Sequence, residues 1–520
     1  MYKYLIYFFT LCFFICFLII FCNSIIAFEG NKIFYFLFSV IVLSTLIFSF
    51  RQNSFFFEKY ILAYLFLGFW LKFSLYLAFF QNNIFGGAEN FEFTEKNLNH
   101  LMILSSVPFL SISTASFLSN KIFFLKNYIY NKKITDTYNK KRLTVIILFF
   151  FIVVFIGLTN YQLGIYQKGL RSSYDLSFLI SGAYKWFLLM GSGIIITIII
   201  KLELDSKKKI GSMIYFLVLF ESFFLNISLL SRAMIFNLSS IFFGIHVGFL
   251  KCKKYIYLNK SYFFITIIIS LLLFLLSNLL VNDLRQQKYF AKKFILKKYL
   301  KDTCLQNEEL YMSNVQCENA NKNLIVKNNE QMSLLNNEDT NINQPFKLKL
   351  KKIAQLIYIR FVGIESVMAV QAYGYNNDLN FGNLKEAFNE KIDYSDFNHY
   401  YKKYVLAFWE NGNQRFDLDK ESLQPLQYTI HLPGIVAFLL YPGSLPFLFG
   451  SMLFLSILFI LLEKFVLFSS GNNLILASFI SHLIAYRFAH FGYVPSQSYL
   501  FFGSLIFSIC AIFFIFKFYK

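Results

Sequence analysis

Long apolar runs alternate along the chain with short polar breaks rich in lysine. The runs recur at lengths of about 17 to 22 residues, each enough to cross a bilayer as a helix. The pattern predicts spans over 4–22, 33–50, 60–80, 100–118, 143–159, 179–200, 211–229, 234–250, 261–281, 445–462, 473–487 and 499–516. The two-residue alternation of a lipid-facing barrel is absent. The expected fold class is therefore all-α, a polytopic integral membrane protein. It would have about 12 transmembrane helices and one large periplasmic loop. Three regions follow: 1–281 with about nine spans, the loop 282–430, and 431–520 with a broken segment and about three spans. The N-terminal run has a longer apolar core than a signal peptide and no small-residue cleavage site, so it is expected to stay as a first span.

Composition fits this pattern. Of 520 residues, 57% are hydrophobic and only 15% charged, below the usual quarter of a soluble protein. The net charge of +20 would suit nucleic acid, but the cations sit in short breaks between spans, which makes them a topology signal instead. Lysines cluster in 119–142, 201–210 and 251–260. With both termini in the cytoplasm, these clusters face inward as the positive-inside rule requires. The segment 211–250 has lysine clusters at both ends, so it reads as two spans with Ser231, Arg232 and Ala233 at the outer tip.

The stretch 282–430 opens with a basic amphipathic run and continues into an Asn-rich insertion, 303–345. The later part, "IAQLIYIRFVGIESVMAVQAYGY", is apolar enough to pack onto the membrane core. Then "HLPGIVAFLLYPGSLPFLFG" is broken at Pro433, the YPGS turn and Pro446. Residues 434–441 are too short to cross, so they read as a half-helix entering from outside or as a helix lying on the bilayer surface. Cys304 and Cys317 share the loop, either bridged or as two free thiols. No Cys or His spacing suggests zinc, and no nucleotide-binding glycine loop or HExxH is present; no metal or cofactor is expected.

Against 41 lysines the chain has 8 arginines. Arg51 and Arg142 fall on the cytoplasmic side. Arg171, Arg232, Arg285, Arg360, Arg415 and Arg487 fall outside or at the outer edge of a span, the reverse of positive-inside sorting. A guanidinium grips phosphate or carboxylate through a planar fork that an ammonium lacks. The outer face therefore reads as a site for an anionic ligand, with snorkelling and local ion pairing as the plainer alternatives for single residues. Arg487 and His490 cap the eleventh span, where interfacial anchoring is the plain explanation. Arg360 and Glu365, five apart on an expected helix, point at different partners. Lys72 and Glu221 lie deep in spans, as functional groups or as an ion pair with each other.

This layout resembles the oligosaccharide repeat-unit polymerases, the O-antigen polymerases of the Wzy class. The stretches "LGFWLKFS", "LLSRAMIF", "RFVGIESVMAV" and "LPGIVAFLLYPGS" look like those of bacterial surface-polysaccharide polymerases. The family also has Arg, ten residues, then Gly in outer loops; Arg171 and Gly182 have that spacing and the other outer arginines do not. The resemblance implies a glycosyltransferase of the bacterial inner membrane. It would move a glycan from undecaprenyl pyrophosphate in the outer leaflet onto a lipid-linked repeat unit, and a chain-length regulator is a possible partner. Arg232 and Arg360 would stabilise the pyrophosphate leaving group, and Glu365 would serve as base. Asp393, Asp396, His399 and Glu410 are other base candidates. Arg171, Arg285, Arg487 and His399 would bind substrate. The alternatives are an O-antigen ligase, for which His399 would be the loop histidine, another polyprenyl-linked glycosyltransferase, or a polysaccharide transporter.

Overall fold

The computed structural model describes residues 2–51, 54–79, 91–122, 132–168, 176–207, 209–231, 234–251, 263–281, 283–285, 361, 363–376, 379–389, 434–491 and 495–518. It is all-helical. Eight helices are long and apolar enough to cross a membrane. In chain order the helices are α1 (Tyr2–Ala27), α2 (Lys32–Ser49), α3 (Phe56–Phe79), α4 (Glu95–Ile122), α5 (Lys132–Leu163) and α6 (Phe178–Lys207). Then come α7 (Ser212–Ser228), α8 (Met234–Lys251), α9 (Phe263–Arg285), α10 (Ile364–Asn376), α11 (Phe381–Asn389) and α12 (Gly434–Leu439). The last three are α13 (Leu445–Ser469), α14 (Leu474–Ala489) and α15 (Pro495–Phe518). Met1–Val281 and Phe361–Lys520 belong to one compact unit. Segment 361–389, read from sequence as part of the long loop, thus belongs to the unit of membrane helices.

The exterior of this unit is apolar where a soluble protein would be polar. Phe155 on α5 is 65% exposed and Phe507 on α15 is 75% exposed. Hydrocarbon tolerates such a surface because the helices satisfy their backbone polar groups internally. The polar side chains point inward. α14 is the central helix, with 13 of its 16 residues buried. It packs on α3, α6, α8 and α13, while α4 lies along α13 and α2.

Local chemistry sets the ends. Asn31 caps α2 by accepting the Ile33 N–H, and its own N–H donates to Asn99 Oδ1 of α4 at 2.8 Å. Asn473 caps α14 through Ile475 and Leu476 and donates to the Thr197 carbonyl of α6. Between α7 and α8 the chain reverses at Leu229–Ser231, so the expected hairpin over 211–250 is present. The YPGS turn reverses through Gly443 at φ +70°, a left-handed conformation that suits glycine. Ser444 then caps α13, with Pro446 in its first turn.

All six residues of α12 are buried, which excludes a helix lying on the surface. The Gly434 N–H donates to the Phe491 carbonyl just beyond α14. α10 is inserted likewise: Ile364, Val367 and Met368 are fully buried, and Gln371 Nε2 donates to the Asn97 carbonyl of α4. α10 packs on α3, α4 and α12, and α12 on α13 and α14. One end of the bundle thus carries two embedded half-helices.

Candidate functional site

The site at this end begins with an irregularity in α3. Residues Phe66–Leu71 are π-helical, with an extra residue in the turn. Such bulges cluster at functional sites because they re-aim the side chains that follow. Lys72 follows directly, and it is 4% exposed. A lysine in this setting needs a partner. Its Nζ donates to the Phe361 carbonyl at 2.9 Å and forms an ion pair with Glu365 Oε1. Gly363 lies against Gly68 inside the bulge, and a Cβ on Gly363 would land on the Gly68 carbonyl. The stretches "LGFWLKFS" and "RFVGIESVMAV" therefore meet backbone to backbone and are locked by one buried charge pair.

Lys72 does not pair with Glu221, the other deep charge considered from sequence. Glu221 receives the Ser222 hydroxyl and lies beside Ser192. Glu365 stands in the first turn of α10, where a carboxylate complements the helix dipole. Its Oε2 is buried and has no hydrogen-bond partner among the described residues.

The second half of the site is on α14. His482 Nε2 and the Tyr64 hydroxyl of α3 are 2.7 Å apart. Tyr486 stacks on His490 with ring centroids 4.3 Å apart, and Tyr64 meets both edge-on. Phe236 of α8 completes the group against His482 and Tyr486. Ser478, His482, Tyr486 and His490 recur every four residues, so they form one stripe along α14. Tyr60 and Tyr64 face this stripe from α3, ahead of its π-helical turn, and the Tyr60 and Ser478 hydroxyls are 2.7 Å apart. The α14 stripe is readable in the sequence as polar residues at helical spacing within a span, and Lys72 and His490 stand out there as single polar residues.

Of the expected site residues, Arg171, Arg232, Arg360, Arg415, Asp393, Asp396, His399 and Glu410 lie outside the described residues. Arg285 is the last described residue of its helix. Arg487 occupies the last turn of α14 with its guanidinium 5.8 Å from the Phe501 ring of α15. Two polar residues that precede Arg232 in sequence, Asn226 and Ser228, hold helices together. Asn160 of α5 donates to the Ser228 carbonyl and hydroxyl, and Ser228 donates to the Gly157 carbonyl. Asn226 reaches Ser277 of α9 at 3.4 Å.

The opposite end carries structural charges. Arg142 grips Glu203 with both arms of its fork, at 2.7 and 2.9 Å, and Tyr138 donates to the same carboxylate. Arg51 lies 3.7 Å over the Phe48 ring. These two arginines have evident local roles. Comparison with protein-family models, with curated proteins and with solved structures finds no match for this chain. No metal-binding cluster of His, Cys, Asp or Glu occurs among the described residues.

Proposed function

We propose that this protein is a polysaccharide polymerase of the bacterial cytoplasmic membrane. It joins undecaprenyl-pyrophosphate-linked oligosaccharide repeat units on the periplasmic face. Both termini are cytoplasmic, the spans number about twelve, and the stretch after α9 forms the large periplasmic loop. The lysine clusters support that orientation.

The observation that carries the proposal is the Lys72–Glu365 lock. It anchors a loop-derived half-helix inside a bundle of membrane helices, beside a second half-helix. Irregular elements at membrane depth are tolerated where protein surrounds them, and they line cavities. A donor and an acceptor that both carry lipid tails need a site of this kind, open to polar sugars yet within reach of the leaflet. The acceptor hydroxyl attacks the anomeric carbon of the donor, and the anomeric C–O bond breaks with its electron pair leaving on undecaprenyl pyrophosphate. Arginines would stabilise the charge gained by that leaving group, because their forks hold two phosphate oxygens at once. Arg232 and Arg360 are assigned this role, and Glu365 Oε2 orients the acceptor.

The test is the gel pattern of surface glycolipid in a deletion strain. Core with a single repeat supports the polymerase. Bare core with accumulated lipid-linked polymer identifies a ligase instead, and an unchanged ladder rejects both.

A further inference from the structure

Among the described residues two helices carry a π-helical turn, and a polar residue directly follows each. In α3 the turn Phe66–Leu71 precedes Lys72, which holds Glu365 of α10. In α6 the turn Phe187–Gly191 precedes Ser192, which lies beside Glu221 of α7. Such turns re-aim the side chains that follow them and cluster at functional sites. The first belongs to the candidate site; the second marks a separate place. We propose that Glu221 is a proton-binding site inside the bundle, a carboxylic acid rather than a carboxylate. Nothing in this depends on the glycosyl-transfer reading.

Four glutamates are buried among the described residues: Glu58, Glu203, Glu221 and Glu463. Three have surroundings that suit a charged carboxylate. Glu203 takes the Arg142 fork, and Glu463 accepts the backbone N–H groups of Phe56 and Phe57. Glu58 lies beside Lys59 and accepts the Ser116 hydroxyl. Glu221 has hydroxyls alone. The Ser222 hydroxyl donates to its Oε2 at 3.0 Å, and the Ser192 hydroxyl is its other partner. No ion pair of the described residues includes it. α7 packs on α5, α6 and α8, and Asn226 further along α7 reaches Ser277 of α9. The facing stretches 143–159, 187–200, 234–245 and 263–281 contain no titratable side chain. On α7 itself the other titratable group is Tyr215, six residues away.

Glu221 is the tenth of the seventeen residues of α7, so it lies at mid-helix, and it is 6% exposed. A carboxylate there would lose its hydration with neither a cation nor a backbone N–H to replace it, a large cost that proton uptake removes. The neutral acid is satisfied by what surrounds it. Its O–H donates to one serine oxygen while the other serine hydroxyl donates to its carbonyl oxygen. A hard metal cation takes about six oxygens, more than one carboxylate and two hydroxyls supply, so the ligand is a proton. In the binding step a carboxylate oxygen takes the proton of a hydronium ion, an O–H bond forms, and water is left.

The experiment compares infrared spectra of the full-length protein and of Glu221→Gln at neutral pH, both in dodecyl maltoside, a detergent without carbonyl groups. The difference spectrum should show the carbonyl stretch of one protonated carboxyl in wild type. Exchange of potassium for sodium in the buffer should leave that band unchanged. Glutamine has the size and neutrality of the acid, so the variant should melt at the wild-type temperature. Should Glu221→Gln fail to accumulate, Glu221→Asp decides, because it keeps an acid and must move the band. Carboxylate bands in place of the carbonyl stretch overturn the proton site, as does a Glu221→Gln protein that melts clearly lower. A band that sodium abolishes also overturns it and identifies a metal-cation site.

Discussion

Glu463 of α13 caps α3: its two carboxylate oxygens accept the backbone N–H groups of Phe56 and Phe57 at 3.0 and 2.8 Å, across more than 400 residues of sequence. The Ser481 hydroxyl of α14 donates to the same group at 2.9 Å. One side chain therefore joins three helices at the lysine-rich end. Removing it leaves two buried donors of a helix N-terminus without a partner. Glu463→Ala should lower stability by about 1.5–3 kcal/mol, the range for hydrogen bonds to a charged group. Thermal aggregation of the solubilised protein measures this, and a variant as stable as wild type would show that the cap is dispensable.

Lys72 and Glu365 should be strongly coupled. Lys72→Met leaves a carboxylate buried without its cation, and Glu365→Gln leaves the cation. Each single change should cost about 3–5 kcal/mol, and the double change clearly less than their sum. A double-mutant cycle on solubilised protein measures the coupling. Additive losses would show that the two charges act independently.

Gly363→Ala should release α10, because the added methyl group meets the Gly68 carbonyl and backbone yields poorly. Limited proteolysis should then cut near residues 361–376 while the rest of the bundle resists. Gly182→Ala is the matched control, since nothing lies within 4 Å of its added Cβ. Equal protease patterns for both variants would contradict the close packing.

Orientation is testable with alkaline phosphatase fusions. A fusion after Asn328 should be active and one after Lys254 inactive. The reverse pair of results would invert the bundle and remove the periplasmic assignment of Arg232 and Arg360.

Arg232 and Arg360 are tested by lysine. A bidentate phosphate contact requires the fork, so Arg360→Lys and Arg232→Lys should each collapse the polymer ladder toward a single repeat at normal expression. A full ladder with lysine would make that residue an interfacial anchor.

The helices were legible because hydrocarbon imposes a simple demand: every predicted span has an apolar helix at or near its position, and the reversal at Leu229–Ser231 follows from lysines at both ends of 211–250. The breaks at Gly443 and Pro446 were legible too, because proline and glycine act locally. The partners of buried charges were not. Lys72 meets a carboxylate 293 positions away and Glu463 serves a helix end 407 positions away, distances at which residue spacing carries no information. The π-helical turns at Phe66–Leu71 and Phe187–Gly191 were also invisible, since a run of apolar residues has no contrast from which to read a change of period. The α14 stripe was visible in principle, because His482, Tyr486 and His490 interrupt an apolar run at steps of four.

The extra residue in the Phe66–Leu71 turn gives α3 slack in length. A π-helical turn takes up one more residue than an α-turn while the helix on either side keeps nearly the same direction and phase. Deleting one residue inside it would restore an ordinary turn and leave the Lys72 ammonium facing Glu365 and Tyr64 facing His482. In a regular stretch of helix the same deletion turns everything beyond it by about 100°. The bulge therefore works as a length buffer between two polar clusters on a single rod.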